Sequence, residues 1–142
     1  MTSGTDNSAH TLIMALPWPP SVNHEWTMAR GRMILAQEGR QYRARVNAYV
    51  MGQRHEGNLP MAPLDYPLAV RLDLWPPDRR RRDADNYAKA AFDALTHAGV
   101  WSDDCLVKDC RSVMHSPVRG GQIRITVAPF ADEEEAPRGQ LR

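Results

Sequence analysis

Cysteine is scarce in this 142-residue chain: only Cys105 and Cys110 are present. Two thiols exclude a disulfide framework, and their spacing is neither a zinc pair nor a redox CxxC. Both are expected to be reduced and structural. The five histidines, His10, His24, His55, His97 and His115, form no HxxxH or similar cluster, so a zinc site is not expected. Long apolar runs are also missing. Nothing reaches the roughly 18 residues of a membrane helix. The apolar run Leu12–Leu16 lacks a basic leader and a small-residue cleavage site, which makes a cytoplasmic protein the default expectation. A strong charge of one sign is lacking too, since the net is +1. That balance is uneven, however. The tail from Asp132 to Arg142 holds four acids and two arginines, and between residues 10 and 131 there remain 16 basic and 12 acidic residues, a net of +4. Such a middle permits a polyanionic partner without demanding one.

What is present fits one domain with a core of its own. Residues 1–10 read as a disordered polar lead and 131–142 as a disordered acidic tail, leaving 11–130 as the folded unit. "TLIMAL" reads as a strand stopped by the rigid "PWPPS". "EWTMARGRMIL" reads as a hairpin turning at Arg30-Gly31. From Ala36 to about Gln53 the pattern is helical, with Tyr42, Val46, Tyr49 and Val50 on one face. "LAVRLDLW" alternates strictly, placing Leu68, Val70, Leu72 and Leu74 on one side and Ala69, Arg71, Asp73 and Trp75 on the other. A second helix is expected from about Asp85 to Ala98, closed by Gly99. "CLVKDCRSVM" and "QIRITVAPF" read as two closing strands with Gly120-Gly121 in the turn between them. The fold class is therefore α/β or α+β, a mixed sheet covered by two main helices.

The chemistry gathers in "PDRRRRDADNYAKAAFDAL", residues 77–95. Asp83 and Asp85 stand where a strand gives way to a helix, a rigidly held yet open position. Helix capping is one explanation for them. A catalytic constellation is the other, because a further acidic pair, Asp103-Asp104, follows the helix C-terminus, where the dipole disfavours carboxylates. Mg²⁺ takes a few carboxylates, waters and phosphate oxygens. Three aspartates could supply that site if the fold returns Asp104 beside Asp83 and Asp85. Lys89 is either a solvated i,i+4 partner of Asp85 or a point charge for a developing phosphate charge. Arg79, Arg80, Arg81 and Arg82 are either an exposed basic turn or phosphate ligands. A phosphodiester answers both the arginines and the carboxylates in a single ligand.

"LPWPPSVN" at 16–23, "PDRRRRDADNYAKAAFDALTHAGVW" at 77–101 and the "DD" at 103–104 resemble the RusA family of Holliday junction resolvases. The similarity runs in order from about Leu12 to Val127. It implies a homodimeric, Mg²⁺-dependent endodeoxyribonuclease, with Mn²⁺ as a substitute ion, that nicks two strands of four-way DNA junctions symmetrically in recombination and repair. It also implies Asp83, Asp85 and Asp104 as catalytic metal-holding acids and Lys89 as the catalytic lysine. DNA contacts are expected from Arg79 to Arg82, and Asn23 is a candidate for the site rim or simply a turn residue. Two other functions stay open. One is a junction-binding protein without catalysis, its aspartates only capping helices. The other is a DxD phosphohydrolase of small esters, disfavoured because "RRRR" stands where that motif wants an apolar lead-in.

Overall fold

The structure is a computed structural model that describes residues 11–21 and 26–139. The expected polar lead and Asn23 lie outside those residues. Six strands and two helices follow in the order β1 (Leu12–Leu16), β2 (Trp26–Ala29), β3 (Arg32–Leu35), α1 (Gln37–His55), β4 (Leu68–Trp75), α2 (Ala84–His97), β5 (Val107–Met114) and β6 (Gln122–Pro129). A single 3-10 turn, Asp104–Leu106, leads into β5. Residues 131–137 carry no regular structure.

Four strands form one mixed sheet in the order β1-β6-β4-β5, while β2 and β3 pair only with each other. β6 runs antiparallel to both β1 and β4, and β5 runs parallel to β4. A parallel neighbour needs a crossover, and α2 provides it. The two closing strands are therefore not partners: they flank β4 on opposite sides, and β5 is a sheet edge.

The alternation in β4 decides the layering. Leu68, Val70, Leu72 and Leu74 are buried, as are their β6 neighbours Ile123, Ile125 and Val127. Tyr42, Val46 and Val50 from α1 and Ala88, Ala91 and Leu95 from α2 complete this core. Each fully buried leucine or valine contributes about 1.5–3 kcal/mol. The two helices thus cover one face of the sheet. On the open face Arg71, Arg111 and Arg124 are exposed, yet Asp73 is only 1% exposed. Asp73 lies opposite the leucines, as the alternation places it, and is buried because Arg71, His115 and Arg124 close over it.

Local chemistry ends the helices where it should. Asp83 caps α2 by accepting the Asp85 N–H at 3.1 Å. Gly99, with φ of 74°, follows the helix C-terminus and donates to Thr96. At the other end of the sheet Gly121 is required by space as well as by its φ of 71°, since a Cβ there would stand 2.8 Å from the Trp18 Cβ. That contact seats the proline-rich loop against the start of α2, where Trp18 packs on Tyr87 with ring centroids 5.1 Å apart.

Candidate functional site

A groove of about 340 Å³ runs between α2 and the edge strand β5. Asp85, Lys89 and Asp104 contribute its charged lining, and Ala88, Phe92, Val107, Cys110 and Ser112 the rest. The helix sets the first side: Asp85, Ala88, Lys89 and Phe92 follow at spacings of three and four, one stripe of an α-helix. The strand sets the second, because Cys110 and Ser112 alternate onto the helix-covered face opposite Val70 and Leu72.

The acids divide into two kinds. Asp83 is exposed but does not line the groove, and its Oδ1 is engaged by the Asp85 N–H. Asp103 likewise spends Oδ1 on the Cys105 N–H at 2.9 Å, and that bond, with help from the Cys105 thiol, holds its carboxyl below the usual range. Asp85 and Asp104 face the groove instead. They enter it from different ends of the α2–β5 unit, Asp85 near Cys110 and Asp104 at the turn before Val107. Among the described residues no three His, Cys, Asp or Glu side chains are grouped to hold a metal. Of the three expected aspartates, Asp85 and Asp104 share the groove, while Asp83 stands outside it because its carboxylate caps α2. Oxygen donors at Asp83 and Asp85, exposed and two residues apart, still suit a Mg²⁺ that keeps waters and phosphate oxygens in its shell.

Lys89 is 66% exposed and its Nζ lies 4.0 Å from Asp93, a loose pair rather than a fixed one. The four arginines are not equivalent. Arg79, Arg80 and Arg81 are exposed. The Arg82 side chain is only 10% exposed; it bonds Asp78 at 2.7 Å and lies over the rings of Trp18 and Tyr87 at 5.8 and 5.9 Å. That pairing raises the Arg82 pKa and holds the Asp78 carboxyl below its usual range. Arg82 therefore braces the turn, and with Arg79, Arg80, His115 and Ser116 it borders a second cleft of about 370 Å³.

Two comparisons bear on this site. The family model "Endodeoxyribonuclease RusA" matches residues 17–128, a span that contains the groove and the arginines of the second cleft. The chain belongs to the RusA endodeoxyribonuclease family. Relatives named crossover junction endodeoxyribonuclease RusA, from Enterobacteria phage 82, Shigella sonnei and Escherichia coli K12, are each 40% identical over 124 residues, covering 87% of this chain and 99% of theirs.

Set in that family, the groove holds residues that sequence reasoning passed over. Cys110 and Ser112 were read only as part of a closing strand; the alternation of "CRSVM" hinted at one face, but not at which face met a helix. Both cysteines are free, as expected; Cys105 stands in the exposed turn before β5, and Cys110 is exposed as a residue while its side chain enters the groove. The Cys110 thiol is pushed up by burial and by the nearby Asp109 and Asp85 charges, which makes it a poor nucleophile. Asp73 and His115, 2.6 Å apart, were also missed, since 42 residues separate them in sequence.

Proposed function

We propose that this chain is a Mg²⁺-dependent endodeoxyribonuclease that resolves four-way DNA junctions by paired symmetric nicks, acting as a homodimer in recombination and repair. The observation that carries this reading is the shared groove of Asp85, Lys89 and Asp104 in a chain of the RusA family. Mg²⁺ would be held by Asp85 and Asp104, which share the groove, with waters and substrate phosphate, Asp83 joining through the oxygen its helix cap leaves free and Mn²⁺ substituting; when bound it would supply positive charge to the phosphodiester and a water of lowered pKa.

The chain's own groups do the rest. The α2 cap fixes the backbone on which Asp85 stands at the mouth of the groove. Lys89, loosely paired, can leave Asp93 and meet the charge that gathers on phosphate oxygens during attack. Arg79, Arg80 and Arg81 reach outward to hold strand phosphates, while Arg82 shapes the turn that presents them. A two-fold dimer would offer two such sites to a junction of matching symmetry. Among the described residues no helix is long and apolar enough to cross a membrane.

The test is a synthetic four-way junction beside a matched duplex, each incubated with and without Mg²⁺. Paired nicks in the junction alone, and only with the ion, are expected. Binding without nicking would replace the enzyme with a junction-binding protein whose aspartates cap helices, a role Asp83 visibly has.

A further inference from the structure

The β2–β3 hairpin is not explained by the groove. It joins no other strand. Its root is pinned to α1: the Arg40 guanidinium donates to the Leu35 carbonyl at 2.6 Å, and Arg43 lies 5.6 Å over the Trp26 ring. Trp26 and Leu35 face each other across the ribbon and are half-buried there. One step further out on the same face, Met28 stands opposite Met33, and these two are 62% and 60% exposed. At the tip Arg30 and Gly31 turn with φ of 51° and 75°, and Arg32 follows, both arginines exposed. Two unpartnered methionines on the outer half of a stiffly rooted ribbon form an apolar blade with a cationic point.

Charge says what meets that blade. Residues 26–45 hold five arginines and one glutamate, a net of +4, equal to the whole net of residues 10–131. The arginine run at 79–82 adds only one charge, because Asp78, Asp83 and Asp85 beside it offset three of its four. The positive field of the folded chain is therefore centred on the hairpin and the first turns of α1. The hairpin alone is too small for a self-association face: two four-residue strands give a face of roughly 14 by 10 Å, about 140 Å². A stable interface takes about 800 Å² per partner.

We propose that the hairpin is a wedge for branched DNA: Met28 and Met33 pack on unstacked bases at the branch point, while Arg30 and Arg32 hold the flanking phosphates. Apolar side chains inserted at an opened base step are a general way to hold distorted DNA. An intact duplex presents no open step, so the methionines favour junctions and the arginines serve either substrate. The proposal rests on the DNA-junction reading above but not on catalysis.

The test uses the full chain in EDTA, with 2-aminopurine placed at the crossover of a four-way junction and at the same sequence position in a duplex. Binding should raise the fluorescence of the junction and not of the duplex. Met28→Ser with Met33→Ser should keep duplex affinity, lose the fluorescence rise and weaken junction binding by about tenfold. Arg30→Gln with Arg32→Gln should weaken both substrates and lower the salt slope by about 2. A double serine variant that keeps the fluorescence rise and the junction preference overturns the wedge. So does one that elutes at half the wild-type mass, because the face would then join two copies. Nicking in Mg²⁺ is scored separately: its absence with the fluorescence rise intact overturns the enzyme and leaves the wedge standing.

Discussion

Replacing Asp73 with asparagine should cost the fold about 2 kcal/mol, and the figure follows from its contacts. The carboxylate is 1% exposed, so its partners are its only solvation. Arg71 reaches both oxygens at 3.2 to 3.3 Å, and His115 Nε2 lies 2.6 Å from Oδ1. Arg124 at 3.5 Å is too long to count as a full bond. Charged hydrogen bonds contribute about 1.5–3 kcal/mol when desolvated. These donors are 52% and 32% exposed and can turn to water, which reduces each to about 1 kcal/mol. An amide must aim an N–H₂ group at one of them, so both bonds are weakened. At roughly 3 °C per kcal/mol, the midpoint should fall by about 6 °C in a thermal melt at pH 5. The acid dependence supplies a second check. Burial alone would raise the Asp73 pKa, but the Arg71 and His115 hydrogen bonds and the Arg71 and Arg124 charges outweigh it and leave it below 3.8. A carboxyl lowered on folding stabilises above its unfolded value, about 3.9, and loses that contribution as pH falls through the folded value. Asparagine does not titrate, so the gap between the two proteins should be full at pH 5 and close in stronger acid. Equal midpoints at pH 5, or a gap that widens on acidification, would refute the account.

Asp85→Asn should abolish nicking of a four-way junction while binding in EDTA stays within about twofold, because one neutralised carboxylate removes a metal oxygen and not a phosphate contact; undiminished cleavage would remove Asp85 from the site. Changing Arg79, Arg80 and Arg81 together to glutamine should lower the slope of log affinity against log salt by about 3, at roughly 0.9 per lost phosphate contact, and an unchanged slope would show that they point away from DNA. Gly121→Ala places a Cβ 2.8 Å from Trp18 in a left-handed backbone. Strain and crowding together should cost about 2–3 kcal/mol, read as a lower denaturant midpoint at constant m-value.

Local pattern made most of the secondary structure readable. β4 alternates, α1 and α2 repeat at helical spacing, and Gly99 and Arg30-Gly31 mark a stop and a turn through backbone freedom that glycine supplies. Pairing was not readable, because the order β1-β6-β4-β5 depends on which edges meet across 39 or more residues. Asp73 shows the same limit. Its position on the open face follows from period two, but its burial depends on His115 and Arg124, 42 and 51 residues away. Arg82 is the opposite case. Its pairing with Asp78 is an i,i+4 relation inside the quoted motif, and the four arginines could have been separated on that ground.

The division within the arginine run changes how the motif works. A run of four equal cations beside two carboxylates would collapse onto them and neutralise the site before DNA arrived. Here the inner arginine is taken by Asp78 and by the faces of Trp18 and Tyr87, and the Trp18 seat exists only because Gly121 leaves room for it. Asp83 is held by the backbone of its own helix. Asp85 is left exposed, with no arginine among its neighbours in the groove. The proline-rich loop, the Gly121 turn and the helix cap therefore act on one outcome: they keep a carboxylate and three guanidiniums apart on neighbouring surfaces. A single phosphodiester can then meet both only when the strand lies across the start of α2.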